Sequence, residues 1–212
     1  MCGIFSIYSK KDIKTNSFIR SLKELEYRGY DSAGVAFFEK DKIKTIKTTL
    51  KIKDLESKLQ DDIKTSLIVG HTRWATHGKP SIKNCHPHQY KNMVVVHNGI
   101  VENYDELKKS NFIKKNKIKS DTDTEILAHL ISYFLTKTGS LAKSVAKVGK
   151  IIKGSNAFLC LDKKDPKLIV AYKNKTPLYF GIKRNGEFLF SSDLNAMKSG
   201  LDRYYFLNDE DL

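Results

Sequence analysis

The chain has 212 residues, 40% of them hydrophobic, enough to bury a full core as one domain or two at most. Its formal charge is +14, but the excess is lysine scattered from Lys10 to Lys198, with guanidinium groups only at Arg20, Arg28, Arg73, Arg184 and Arg203. That is the pattern of solvated faces and argues against nucleic-acid binding. Cys2, Cys85 and Cys160 form neither a disulfide framework nor a zinc knuckle, and the chain shows neither a membrane span nor a secretory leader. The expectation is a soluble chain of the reducing cytoplasm.

In chain order, Ile4 to Tyr8 predicts a strand, and Asn16 is placed to cap a helix carrying Phe18, Leu22 and Leu25 on one face. Gly34 to Phe38 and Ile43 to Thr49 read as a hairpin turning near Asp41, followed by a short helix with Leu55 and Leu59 inward. Leu67 to Gly70 and Met93 to His97 are apolar, β-rich runs that read as buried central strands around a histidine-rich loop. The basic run Lys108 to Lys115 reads as a helix end and loop. Thr122 and Glu125 have capping-box spacing, predicting a helix through Ile126, Leu127, Leu130, Ile131 and Phe134. A second helix follows around Leu141 to Lys150. Four strand-like runs close the pattern, at Ala157 to Leu161, Leu168 to Tyr172, Leu178 to Ile182 and Glu187 to Phe190, with turns at Asp165-Pro166 and Asn185-Gly186. Helices grouped between two sets of strands predict two sheets packed face to face with helices outside.

The chemistry-bearing residues begin at Cys2. Removal of Met1 would leave a thiol and a free α-amine on one residue, a nucleophile with pKa near ~8.5 beside a base near ~7.7–8.0. Asn98-Gly99 is a common hairpin signal, yet an asparagine amide and a glycine N–H at a strand end also suit a developing oxyanion. Arg73, beside the sole tryptophan Trp74, suits a carboxylate or a plain ion pair. Asp123, at a helix start, offers the opposite charge or simply complements the helix dipole. His71, His77, His86 and His88 with Cys85 match no zinc spacing, and loop hydrogen bonding is the better account of them. Cys160 reads as a small buried hydrophobe.

Six segments, in this order, resemble the N-terminal glutaminase domain of the glucosamine-6-phosphate synthase family, class II amidotransferases with an N-terminal nucleophile. They are Met1-Cys2-Gly3-Ile4, Leu25 to Gly34 (reading Leu-Glu-Tyr-Arg-Gly-Tyr-Asp-Ser-Ala-Gly), His71 to Gly78 (His-Thr-Arg-Trp-Ala-Thr-His-Gly), His86-Pro87-His88, Val95 to Asn103 and Asp121 to Glu125. The resemblance covers nearly the whole chain. It implies an α+β, four-layer αββα sandwich of the N-terminal-nucleophile hydrolase type, with residues 1–212 as one glutaminase domain. It also implies hydrolysis of L-glutamine to glutamate and ammonia through a γ-glutamyl thioester on Cys2, with the Cys2 α-amine as general base.

By the same resemblance, Asn98 and the Gly99 N–H form the oxyanion hole. Arg73 holds the substrate α-carboxylate, Asp123 its α-ammonium, and Thr76, His77 and Gly99 help fix glutamine. Trp74 sits in a mobile loop that closes over the site. No metal or organic cofactor is implied. The implied partner is a sugar isomerase domain, in cis or in trans, which takes the ammonia and has no counterpart in residues 1–212; the full-length synthase is expected to be a homo-oligomer. A glutaminase serving another synthase, or a silent glutamine-binding module, are the alternatives. Cys85 stands where the family commonly has alanine, raising the expectation of a second reactive thiol near the site.

Overall fold

The computed structural model describes residues 2–40, 42–59, 63–75, 78–113 and 118–212. Strands β1 (Gly3–Tyr8), β2 (Ser32–Glu39), β3 (Lys42–Thr48), β4 (Leu67–Arg73), β9 (Tyr179–Lys183), β10 (Phe188–Ser191) and β11 (Leu201–Phe206) form one sheet. Its order is β11-β9-β10-β1-β4-β2-β3. A second sheet, β5-β6-β7-β8, joins β5 (His88–Tyr90), β6 (Met93–Gly99), β7 (Asn156–Asp162) and β8 (Asp165–Asn174). Both are antiparallel among the described residues.

The period-2 alternation of the strands sorts the apolar residues into three layers. Ile4, Val69, Val94, Val96, Leu159 and Leu161 meet between the two sheets. The alternate positions Phe5, Ile7, Val35, Phe37 and Ile68 face α1 (Thr15–Lys23) and α2 (Ile52–Lys58), which supply Phe18, Ile19, Leu22, Ile52 and Leu55. On the other side Met93, Val95, Phe158 and Cys160 face α4 (Thr124–Thr138) and α5 (Leu141–Ile151). A short helix, α3 (Tyr104–Lys109), packs against the start of this layer. The result is the four-layer αββα sandwich. Both faces of each sheet are covered, so its central strands are apolar on both sides; this is why β4 and β6 read as continuous runs.

Local departures have local causes. The capping box at Thr122 does not form: Asp123 stands at the N-cap of α4, and Glu125 instead accepts hydrogen bonds from the Lys119 and Ser120 amides and the Ser120 hydroxyl. Asn16 lies inside the first turn of α1, where Lys14 is the N-cap and makes no side-chain cap. The predicted turn at Asp165-Pro166 falls two residues earlier, at Lys163-Lys164. Pro166 then enters β8, an edge strand that tolerates its missing N–H. Strand β11, largely exposed, lacks the apolar signal that would have announced it. The turn near Asp41 joins β2 to β3 as expected, Glu39 pairing with Lys42, while Asp41 itself lies outside the described residues.

Candidate active site

Three strand ends from the two sheets converge at one rim of the sandwich. Gly3 of β1 pairs with Thr72 of β4, which places Cys2 beside Arg73 and Trp74 at the end of that strand. Face to face with them, β6 ends on Asn98-Gly99. No hairpin forms there: both residues stay paired with β7, opposite Ala157 and Asn156. Gly99 has φ 129°, and a Cβ added to it would meet the Ser155 carbonyl oxygen at 2.0 Å, so only glycine fits.

Cys2, Asn98, Gly99, Trp74 and Arg28 line a cleft of about 460 Å³ together with Lys175 and Thr176. Trp74 N–H donates to Cys2 Sγ at 3.3 Å. The Cys2 carbonyl accepts from Asn98 Nδ2 at 2.9 Å and from Arg28 Nε at 3.1 Å. Burial pushes the Cys2 thiol above its ordinary value; the Trp74 N–H and the Arg73 charge pull in the opposite direction without overcoming it. The Trp74 ring is 46% exposed and stands edge-on to Tyr30 at 5.4 Å.

Arg28 is a site residue that sequence reasoning did not single out. It sits in a single turn of 3-10 helix after α1, is buried, and is braced by Asp193 at 3.5 Å. The signal available was its place in Tyr27-Arg28-Gly29, one of the segments that carry the resemblance. Its brace, 165 residues away, is invisible to any local pattern.

Arg73 and Asp123 are set back from the cleft surface. Arg73 is buried, with Nη2 donating to the Gly78 carbonyl at 2.9 Å and Nη1 3.8 Å from Asp31 Oδ1. The Asp31 carboxylate also accepts from the Ala75 amide and the Ser32 hydroxyl. One carboxylate thus ties the arginine to the backbone just after Trp74. Asp123 Oδ2 accepts from Val101 N–H at 2.7 Å, fastening the start of α4 to the segment that follows Gly99. Thr76 and His77 lie outside the described residues.

Behind Asn98 the histidines are gathered in a hydrogen-bonded cluster. His71, His86, His88 and His97 are all buried, and burial lowers each of them, His71 and His88 to about 3. Their ring nitrogens engage Asn98, Asn156, Thr122 and Thr124, which accounts for them as structural polar groups rather than exposed ligands. No group of three or more metal-ligating side chains occurs among the described residues. Cys85 overturns its expectation: its thiol is fully buried, donates to the Ala33 carbonyl at 3.1 Å, and is pushed up by burial, the opposite of a reactive thiolate. Cys160 is a buried core residue, as read.

Residues 71–199 match the family model for the glutamine amidotransferase domain. The chain belongs to this family. It is 39% identical over 211 residues to glutamine--fructose-6-phosphate aminotransferase [isomerizing] of Helicobacter pylori, covering 99% of this chain and 35% of that protein. The enzyme of the same name from Clostridium acetobutylicum is 40% identical over 214 residues, covering 100% of this chain and 34% of the relative. The chain therefore spans about a third of the length of the curated relatives it matches. Among solved structures, glutamine phosphoribosylpyrophosphate amidotransferase from B. subtilis superposes with a TM-score of 0.78 at 23% identity, over 97% of this chain and 44% of that one. A glutamine aminotransferase class-II domain protein from Silicibacter pomeroyi gives 0.58 at 14% identity, over 97% and 91%. The amidotransferase domain shares the fold of these structures, and no helix among its described residues is long and apolar enough to cross a membrane.

Proposed function

We propose that this amidotransferase domain hydrolyses L-glutamine to glutamate and ammonia through a thioester on Cys2. The observation that carries the reading is the convergence of the Cys2 thiol, the Asn98 amide and Gly99 on one cleft. Because burial holds the thiol protonated, attack requires a base in the transition state. With Met1 removed, the Cys2 α-amine is that base, its pKa near ~7.7–8.0 matching neutral pH.

The amine takes the thiol proton as Sγ bonds to the side-chain amide carbon. The carbonyl oxygen becomes an oxyanion facing Asn98 Nδ2 and the Gly99 N–H, donors that stabilise charge absent from the ground state. The ammonium then returns a proton to the leaving nitrogen, the C–N bond breaks, and ammonia departs. Water, deprotonated by the same amine, attacks the thioester; the C–S bond breaks, glutamate leaves, and the thiol regains its proton. Arg73 binds the substrate α-carboxylate and Asp123 its α-ammonium, Thr76 and His77 fix the substrate further, and the Trp74 segment closes over it. Asp31 links Arg73 to the 74–75 backbone and Asp123 holds the segment that follows Gly99, so both charged groups are joined directly to the rim of the cleft.

The names of the relatives support a wider reading. Residues 1–212 form one glutaminase domain that supplies ammonia to a sugar isomerase domain, in cis or in trans, acting on fructose 6-phosphate in a cytoplasmic homo-oligomeric synthase. Intact mass with and without 6-diazo-5-oxo-norleucine tests the core of the proposal. Loss of Met1 and a single adduct mapped to Cys2, absent in Cys2→Ala together with ammonia release, is the expected result. Retained Met1 with full glutamine turnover would eliminate the α-amine as base.

A further inference from the structure

The oxyanion reading requires the Asn98 side chain to present nitrogen, not oxygen, to the cleft. An amide is nearly symmetric in shape, so only its hydrogen-bond partners decide which way it faces. On the cleft side the partner is the Cys2 carbonyl, which only accepts. On the inner side Oδ1 lies 3.1 Å from His71 Nε2.

The same His71 Nε2 lies 2.9 Å from the His97 carbonyl oxygen. A backbone carbonyl cannot donate, so Nε2 must carry the ring hydrogen, which it shares between His97 O and Asn98 Oδ1. The opposite tautomer would set the Nε2 lone pair against those of His97 O and would attract Asn98 Nδ2 inward, turning Oδ1 toward Cys2.

The surrounding network runs in one direction too. Asn156 Nδ2 donates to the Lys153 carbonyl at 3.2 Å, so its Oδ1 accepts from His97 Nε2–H at 2.9 Å. His97 Nδ1 is then a bare acceptor for the Thr124 hydroxyl at 3.0 Å, and Thr124 Oγ1 in turn accepts from His86 Nε2–H at 3.0 Å. His86 stacks on His71 with ring centroids 3.9 Å apart, an arrangement suited to two neutral rings. Both rings therefore carry hydrogen on Nε2. Consistent with that, the two Nδ1 atoms are the ones buried with no hydrogen-bond partner among the described residues; a bare buried acceptor is better tolerated than an orphaned N–H.

We propose that His71 is the positioning residue for Asn98: as the neutral Nε2–H tautomer it holds Asn98 Oδ1 inward and so commits Nδ2 to the cleft beside Cys2. The proposal rests on the oxyanion role given to Asn98 above, and the tests separate the two. Nitrogen-15 NMR of the histidine side chains in the intact chain at pH 7.5 should show His71 Nε2 protonated and Nδ1 bare; the reverse assignment overturns the proposal whatever any variant does. In glutaminase kinetics, His71→Leu should lower kcat about tenfold, the size of one hydrogen bond, with KM little changed.

The same substitution made on top of Asn98→Ala should cost nothing further, because the group it orients is gone. A purely structural role would give the same fractional loss in both backgrounds, and that outcome, or parental kcat in His71→Leu, rejects His71 as the positioning residue. If His71→Leu does not fold, the NMR assignment on the parent chain decides alone. Parental kcat in Asn98→Ala would instead remove the oxyanion role of Asn98 and this proposal with it, while a large Asn98 effect without coupling removes only His71.

Discussion

Replacing Gly99 by alanine tests the geometry of the β6 end directly. The new Cβ would lie 2.0 Å from Ser155 O, where real contacts stay beyond 3.0 Å, so β6 and β7 must separate by at least the difference at that point. The adjacent Ile100 N–H to Ser155 O hydrogen bond, already 3.2 Å, would then be lost. That bond contributes about 1 kcal/mol, and a non-glycine residue at φ 129° adds about 1–3 kcal/mol of strain. At about 2–4 °C per kcal/mol for a chain of this size, Tm should fall by about 5–15 °C.

Gly186→Ala is the internal control. Gly186 has φ 83° but nothing within 4 Å of its Cβ position, so it carries the conformational cost without the clash. A left-handed residue there costs about 1–2 kcal/mol, so its Tm should fall by about 2–8 °C, with turnover preserved because it lies away from the cleft. Thermal unfolding followed by circular dichroism, with ammonia release measured in parallel, gives both readouts. Equal Tm losses in the two variants would refute the claimed close approach of Ser155 to Gly99, and full activity in Gly99→Ala would refute its place at the reacting carbonyl.

Three further outcomes follow from the site. Asn98→Ala should lower kcat by about 100-fold or more while leaving the fold intact, since the Cys2 carbonyl keeps Arg28 and His71 Nε2 keeps the His97 carbonyl; steady-state kinetics showing only a KM change would reassign it to substrate binding. Arg73→Ala should act mainly on KM for glutamine, and an unchanged KM would remove it as the carboxylate clamp. Burial holds His71 and His88 to about 3 against an ordinary 6.5, so the unfolded chain binds protons the folded one refuses. The stability this confers is complete above pH 6.5 and is lost as pH falls toward 3, about 2 kcal/mol per histidine by pH 5. Urea midpoints should drop accordingly between pH 7.5 and 5, and a flat profile would show that these rings take up protons in the folded chain as readily as in the unfolded one.

Much of this was legible in one dimension because it depends on local rules. The alternation within Ile4-Phe5-Ser6-Ile7 and the helical spacing of Phe18 and Leu22 specify which side of each element is apolar, and every apolar side must be buried. Two sets of strands with helices between them then leave few arrangements other than the layered sandwich. The six segments also pointed to Cys2, Asn98 and Gly99, which the fold brings to one cleft.

What the sequence could not decide was which of several available partners each polar group takes in the folded chain. Thr122 and Glu125 had the spacing of a capping box, but Glu125 turns back to the Lys119 and Ser120 amides instead. Asn98-Gly99 taken alone reads first as a tight turn, and only its pairing with Ala157 and Asn156 excluded one. The brace of Arg28 by Asp193 and the orientation of Asn98 by His71 and Cys2 join residues 165, 27 and 96 positions apart. Residue type and spacing determine which face of a segment is buried and which groups can react. Which of those groups meet, and which hydrogen each of them carries, is decided only when the chain closes the distance between them.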